Sequence, residues 1–274
     1  MRFVGEVGNR RQRLRHSPGE TCFMTLRLTI EGATATLLID RADKRNAFDL
    51  TMWQALPRLL DEAQADPGVR VLIIRAAQAG GAFSAGADIR ELLANKDDAA
   101  WRQANHTAIN TAQYRLARMP LPSIAFIEGD CVGGGCGIAL ACDIRVATPA
   151  ARFGVTPARL GLVYPLHDVK LLIDLVGPGQ ARRILFTGDL LPAEEALRIG
   201  LVEMLGDDPD VLAGAIRSAS KHSIREMKQF VRRVLDGQSG EDEDTLRIFA
   251  EAFSGPDFAE GTAAFVEKRR PEFG

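Results

Sequence analysis

Three consecutive glycines, Gly133, Gly134 and Gly135, follow an apolar run ending at Ile127 and precede the small, apolar residues Cys136 to Ala141. This reads as strand, tight turn and helix start. Glycine lets a backbone approach a ligand closely. The first amides of a helix lack intrahelical acceptors and sit at the positive end of its dipole. Amides placed this way can hold negative charge as it develops on a bound molecule, so the spacing predicts an oxyanion site near Gly134. Two plainer readings compete with it. A dinucleotide-binding turn needs G-x-G-x-x-G and an acidic residue about 20 positions on. Ile138 and Leu140 stand where the last glycine is required, and residues 150–160 contain no acid. A glycine-packed helix start without chemistry stays open on this stretch alone.

A second stretch of the same kind is Gly80 to Leu92, GGAFSAGADIREL. It follows the apolar run Val71 to Ile74 and places Asp88 in capping position ahead of a helix. Both turns thus leave a parallel-type strand and open a helix, and in open α/β sheets ligands sit at the carboxyl ends of the strands. Two convergent backbone amides make an oxyanion hole, and each donor of that type is worth roughly 2.7–4 kcal/mol in the transition state.

The elements that must hold these turns are legible in order. Leu26 to Ile30 and Ala33 to Ile39 are expected as paired strands. Asp49 caps a helix with an apolar face of Met52, Leu56, Leu59, Leu60 and Ala63, kinked at Pro57. A long helix over about Ala99 to Arg118 leads to the strand Ser123 to Ile127, and the alternation to about residue 165 predicts α/β with a mostly parallel sheet. After Gly177 strands are expected to stop, with helices over Ala181–Phe186, Ala193–Ile199, Ile224–Leu235, Thr245–Phe253 and Ala259–Arg269. Residues 1–23, with Arg10, Arg11, Arg13 and Arg15, are expected to be a disordered basic tail; a targeting or RNA-binding arm is the rival reading. The domain division that follows is a core over 24–200 and a helical region over 201–274.

With 274 residues, 46% hydrophobic, 26% charged and a net charge of −2, the chain has the make-up of a globular protein and no basic field for nucleic acid. No apolar run approaches the ~20 residues of a membrane span. Cys22, Cys131, Cys136 and Cys142 form no C-x-x-C pair, and the last three, in the apolar central stretch, read as buried thiols of a reducing compartment, so a cytoplasmic location is expected.

From about residue 24 the chain resembles the crotonase, or enoyl-CoA hydratase/isomerase, superfamily. The resemblance is carried by RADKRNAF at 41–48, AFSAGADIREL at 82–92, EGDCVGGGCGIALACDIRVA at 128–147 and ARFGVTPARLGLVY at 151–164. It continues through VGPGQARRILFTGDLLPAEEALRIGLVEML at 176–205 and EGTAAFVEKRRPEF at 260–273. It implies a crotonase-like α/β spiral of ββα units with a helical C-terminal trimerisation region, assembled as a homotrimer or hexamer. It also implies an acyl-CoA substrate whose thioester oxygen is held by the amides of Ala87 and Gly134. Ala85 falls where the family meets the adenine, and Lys44, Arg45 and Arg90 fall within reach of the CoA phosphates. Asp88 and Ile89 lie in the same motif, and Phe265 and Lys268 complete the site, often from a neighbouring subunit. Coenzyme A enters as part of the substrate, and no separate cofactor or metal is expected.

The sequence departs from a hydratase in one respect. Family hydratases carry two glutamates, and at the matching positions this chain has Gly137 and Pro157. Hydration needs a base for the water and an acid for the α-carbon, and neither residue can supply one. The nearby groups are Tyr164, His167 and Asp168. FGVTPARLGLVYPL is similar to the corresponding stretch of methylmalonyl-CoA decarboxylases, which suggests a glutamate-independent decarboxylation with Tyr164 as hydrogen-bond donor. Two other roles stay open: His167 as a proton donor, and Asp168 as a displaced base for isomerisation or else a helix N-cap. Isomerisation or hydration with a displaced acid–base group is the first alternative, and an acyl-CoA-binding homologue without catalysis the second.

Overall fold

The computed structural model describes residues 20–23 and 25–273, so the arginine cluster at 10–15 lies outside the described residues. The expectation of a tail over residues 1–23 is corrected at its end, where residues 20–23 are a strand. Glu20–Phe23 form β1, antiparallel to β2 (Leu26–Glu31), because the outer edge of β2 offers unpaired backbone groups. β2 turns at Gly32 into β3 (Thr34–Ile39). Asp49 accepts a hydrogen bond from the Met52 amide and caps α1 (Leu50–Ala65), which runs on through Pro57 as one helix. Then come β4 (Val71–Ala76), α2 (Ile89–Ala94), α3 (Ala99–Arg118), β5 (Ser123–Ile127), β6 (Asp130–Val132), α4 (Gly134–Ala141), β7 (Ile144–Ala147) and β8 (Arg152–Gly154).

The main sheet has the order β1-β2-β3-β4-β5-β7 and ends on the short strand β10 (Met204–Leu205), parallel from β3 onward. Its central strands are buried on both faces, which explains their unbroken apolar runs. Leu72 and Ile74 face a large core with α1, α3 and α4, while Val71, Ile73, Ile124 and Phe126 face a second cluster. The period of two along each strand makes this division. A smaller sheet pairs β6 with β8 in parallel and β8 with β9 (Leu191–Pro192) antiparallel.

The C-terminal part contains α5 (Leu166–Thr187), broken at Gly177 (φ 72°), then α6 (Ala193–Arg198), β10 (Met204–Leu205), α7 (Asp210–Ser218), α8 (Lys221–Leu235), α9 (Glu243–Ala252) and α10 (Pro256–Glu267). Strands therefore do not stop at Gly177. β9 and β10 are two residues long, too short to carry a periodicity, and backbone pairing alone defines them. β10 pairs with β7, so the main sheet runs past the expected boundary at residue 200. α7, which the helical spacing did not reveal, covers the second cluster with Ala213.

Candidate active site

Both glycine-rich turns are held by backbone pairing to their neighbours. The segment around Ser84–Asp88 threads between residues 45–48 and β6. The Ala85 amide donates to Arg45 O, Phe48 N to Gly86 O and Asp88 N to Phe48 O. On the other side Ser84 N donates to Asp130 O, and Val132 N to Ser84 O. Gly86 (φ 93°) and Gly133 (φ 53°) adopt backbone conformations that favour glycine. The two turns touch: a methyl group on Gly86 would lie 3.1 Å from the Gly134 nitrogen, and one on Gly135 would lie 2.6 Å from Ser84 O. The far side of Gly134 meets the Trp53 ring, where a methyl group would lie 3.1 Å from Cζ2.

Gly134 is the first residue of α4, after the N-cap Gly133. Among the described residues neither the Ala87 nor the Gly134 amide donates to a protein acceptor. At the other end of α4 the buried Arg145 guanidinium donates to Ala139 O (3.2 Å) and Cys142 O (2.9 Å). The short helix thus has a cation at its C-terminus and open amides at its N-terminus, which is how a helix dipole favours an anion at its start.

One turn along the same face of α4 lies Gly137. Its missing side chain is replaced from elsewhere: a methyl group there would overlap Gln113 Nε2 of α3 and lie 2.7 Å from Asp168 Oδ2 of α5. Asp168 is 1% exposed and Gln113 0%. Both Asp168 oxygens and both Gln113 amide atoms are buried without a hydrogen-bond partner in the protein, as are both His167 ring nitrogens. His167 Nδ1 is 3.5 Å from Asp168 Oδ1. Burial pushes the Asp168 carboxyl above its ordinary value, and the neighbouring His167 and Gln113 offset this only in part. The N-cap expectation for Asp168 does not hold. α5 begins two residues earlier, at Leu166, with Pro165 as its cap, so Asp168 sits inside the first turn with its carboxylate turned to the protein interior.

Tyr164 is buried, and its hydroxyl donates to Gly133 O at 3.0 Å. Burial first, then the Asp168 charge, hold the phenol well above its ordinary range. Its hydrogen is committed to the glycine turn. Pro157 starts a single turn over Pro157–Leu160 and brings no acid.

The residues expected at the CoA end divide into two groups. Lys44, Arg45, Ile89 and Arg90 are exposed near the first turn, although Arg45 also pairs with Asp130. Asp88 is occupied: it caps α2 through the Arg90 and Glu91 amides and pairs with Arg41 at 3.0 Å. Burial would raise its carboxyl, but the Glu91 amide and Arg41 bring it below its ordinary value. Phe265, 85% exposed, lies on α10, and Lys268 ends that helix at φ 57°. Among the described residues no hydrogen bond or ion pair joins α10 to the two turns. Within one chain these two residues stand apart from the others.

Gln113 was not singled out in the sequence. Its signal is faint: a polar residue on the α3 face that buries Ala108, Ala112 and Leu116. Asn46 is a second, holding the first turn through Nδ2 to Ala82 O at 2.7 Å. Among the described residues no group of three or more His, Cys, Asp or Glu could hold a metal ion, and no helix is long and apolar enough to cross a membrane.

Residues 29–274 match the family model for enoyl-CoA hydratase/isomerase. The chain is 32% identical over 254 residues to a crotonyl-CoA hydratase of Syntrophomonas wolfei, covering 89% of this chain and 95% of that one. It is 32% identical over 253 residues to a short-chain-enoyl-CoA hydratase of Clostridium acetobutylicum, covering 88% and 94%. Among solved structures it is similar to an enoyl-CoA hydratase/isomerase family protein from Hyphomonas neptunium, with TM-score 0.87, 38% identity and coverage of 92% and 98%. Two touching glycine turns with open amides, on a fold shared over nearly the whole chain with these proteins, place it by descent as well as by geometry: the chain belongs to the enoyl-CoA hydratase/isomerase family.

Proposed function

We propose that the protein acts on an acyl-CoA thioester through an enolate held by the Ala87 and Gly134 amides, with Asp168 as the single carboxylate that removes and returns a proton. The reaction this suits best is migration of a carbon–carbon double bond along the acyl chain. The observation that carries it is the buried Asp168 carboxylate, without a hydrogen-bond partner and lying against Gly137, on the same face of α4 as the open Gly134 amide. A rise of 1.5 Å per residue puts Gly137 about 4.5 Å along the helix from Gly134, a spacing that suits an enolate oxygen and its α-carbon. A carboxylate pushed up by burial is a stronger base than an exposed one, which suits removal of an α-proton.

In this reading Asp168 takes the proton from the carbon next to the thioester. The C–H electrons form the enolate, whose charge rests on the oxygen at the two amides. The electron pair then returns through the γ-carbon, which takes a proton from the Asp168 carboxylic acid. One group in two protonation states serves both steps. Hydration asks for two groups acting at once, and the positions of the family glutamates hold Gly137 and Pro157. Decarboxylation with Tyr164 as donor has less support, since that hydroxyl is committed to Gly133 O. The Asp168 carboxylate would also repel a malonyl-type substrate. A binding role without catalysis leaves the buried, unpartnered carboxylate unexplained. Lys44, Arg45 and Arg90 are proposed to meet the CoA phosphates, and Phe265 and Lys268 to approach from a second chain of a trimer.

The test is mass spectrometry and absorbance of CoA products from 3-hexenoyl-CoA, crotonyl-CoA and methylmalonyl-CoA. Conversion of the first to the 2-enoyl isomer is expected, with Asp168→Asn slower by about 10²–10⁴-fold, the usual contribution of a positioned acid–base group. Loss of CO2 from methylmalonyl-CoA, or an Asp168→Asn variant as fast as wild type, would sink the proposal.

A further inference from the structure

Two consecutive residues ahead of the first glycine turn, Arg45 (φ 52°) and Asn46 (φ 58°), sit in the left-handed region. Neither is glycine, so this conformation persists only where neighbouring groups hold it. Asn46 is held by its own side chain, which accepts from Arg41 N at 2.8 Å and donates to Ala82 O at 2.7 Å. Arg45 is held by Asp130 of β6, to which its guanidinium donates. Asp130 also takes two hydrogen bonds from Arg152 of β8, from Nε at 2.7 Å and from Nη2 at 3.0 Å. The Asp130 side chain is 10% exposed, while those of Arg45 and Arg152 are mostly in solvent. A two-pronged contact between guanidinium and carboxylate fixes direction as well as distance.

The backbone around this carboxylate carries both halves of the proposed oxyanion site. Arg45 O accepts from Ala85 N at 2.9 Å, and Asp130 O accepts from Ser84 N at 3.2 Å. Both ends of the Asp130–Arg45 contact therefore grip the segment that leads to Ala87. In the other direction β6 runs from Asp130 to Val132 and on into Gly133 and Gly134. Its pairing with β8 sets Asp130 opposite Arg152, and Gly133 N donates to Gly154 O at 2.8 Å. One side chain thus joins the segment before the first turn, the strand before the second and the strand beside it. Two donors serve one oxygen only if both converge on it, and a misplacement of about 1 Å can cost about a hundredfold in rate.

We infer that Asp130 is a positioning residue for the oxyanion site: through Arg45 and Arg152 it sets the distance between the Ala87 and Gly134 amides. The inference rests on the reading of those two amides as the holders of the thioester oxygen. Asp130 acts through the backbone of the two turns, without touching the substrate.

The test reads the thioester carbonyl directly, in the infrared difference spectrum of bound butyryl-CoA carrying carbon-13 at C1. The band needs no turnover and so does not depend on Asp168. Hydrogen bonds to the oxygen lower the carbonyl stretch, and wild type is expected to lower it relative to free butyryl-CoA. Asp130→Ala should return the band towards the free position. It should also lower kcat on 3-hexenoyl-CoA by about a hundredfold, with KM little changed. Asp130→Asn, which keeps one acceptor oxygen, should recover part of both, and it keeps the measurement open if the alanine variant does not fold. Arg152→Met should lose less, since the Arg45 contact remains. Arg45, Asp130 and Arg152 line an open hollow of about 430 Å³, so water can fill the space that a shortened side chain leaves. A band that stays at the wild-type position in folded variants would overturn the role of Asp130. So would a rise in KM with kcat unchanged, which would make the carboxylate a support for Arg45 in CoA binding alone. A wild-type complex, saturated by calorimetry, whose band equals that of free butyryl-CoA would instead take down the two-amide reading itself, as would no binding by wild type.

Discussion

As the proposed acid–base group, Asp168 is expected to have opposite effects on stability and on chemistry. Burial raises its carboxyl above the ordinary value of 3.8, so the folded chain still holds this proton at pH values where the unfolded chain has released it. Stability is then lost as pH rises from the unfolded value through the folded one, and the deficit is complete above both. Asp168→Asn is expected to melt at a higher temperature than wild type at neutral pH and at the same temperature in acid below the ordinary value, as thermal melts across pH would read. In the proposed reaction this carboxylate must ionise to work, so the acid limb of kcat/KM should lie above the ordinary aspartate range. Tyr164→Phe is a milder change. Gly133 O keeps a second hydrogen bond, from Gly137 N at 3.1 Å, so the loss should be about 0.5–1.5 kcal/mol in chemical denaturation. Two buried cysteines are chemically quiet: burial pushes Cys142 up to about 12 and raises Cys131. Native protein should leave both unlabelled by iodoacetamide at neutral pH, and both should react once unfolded.

At the level of elements, what matters is how closely the two turns approach. A methyl group on Gly135 would sit 2.6 Å from Ser84 O, a backbone atom that cannot swing aside. Gly135→Ala is expected to cost roughly 1–3 kcal/mol, the usual range for overpacking, and to lower kcat more than it raises KM by parting the two amides. Gly137→Glu tests what fills the space beside Gly137. The position is filled by Gln113 and Asp168, so the single change should destabilise, while adding Gln113→Ala should recover part of the loss by opening room from the α3 side. If Gly137→Glu alone is as stable as wild type, Gln113 does not occupy that space in solution.

Seen as a whole molecule, one chain leaves much apolar surface uncovered. Phe249, Phe253 and Phe258 meet edge to face at 5.4 Å and 5.2 Å between ring centroids, and Phe265 and Val266 stand exposed on α10. Val163 and Leu166 are exposed near Asp168 as well. Contiguous apolar patches of this kind mark contact surfaces. Light scattering behind size-exclusion chromatography should give a multiple of the 29.8 kDa chain, and Phe265→Asp should shift it towards smaller species. A wild-type monomer at micromolar concentration would overturn this expectation.

The sequence by itself determined the parts that depend on local order. Val71–Ile74 and Ile124–Ile127 are apolar throughout and so had to be central strands, and Asp49 and Asp88 stand where helix caps are needed. The glycines at 133–135 and 86 mark backbone that must turn sharply or come close, which made both halves of the proposed oxyanion site legible. β9 and β10 were not legible, being two residues each and defined by their partners. The proposed acid–base group came into view only in three dimensions. Gly137, Gln113 and Asp168 lie on three helices, and nothing in their spacing along the chain says that two side chains fill the gap left by the first. Absence of glutamate at 137 reads as absence of a carboxylate until α5 is seen to turn Asp168 inward. Burial then gives that carboxylate its raised pKa, a property of the packed interior and not of any motif.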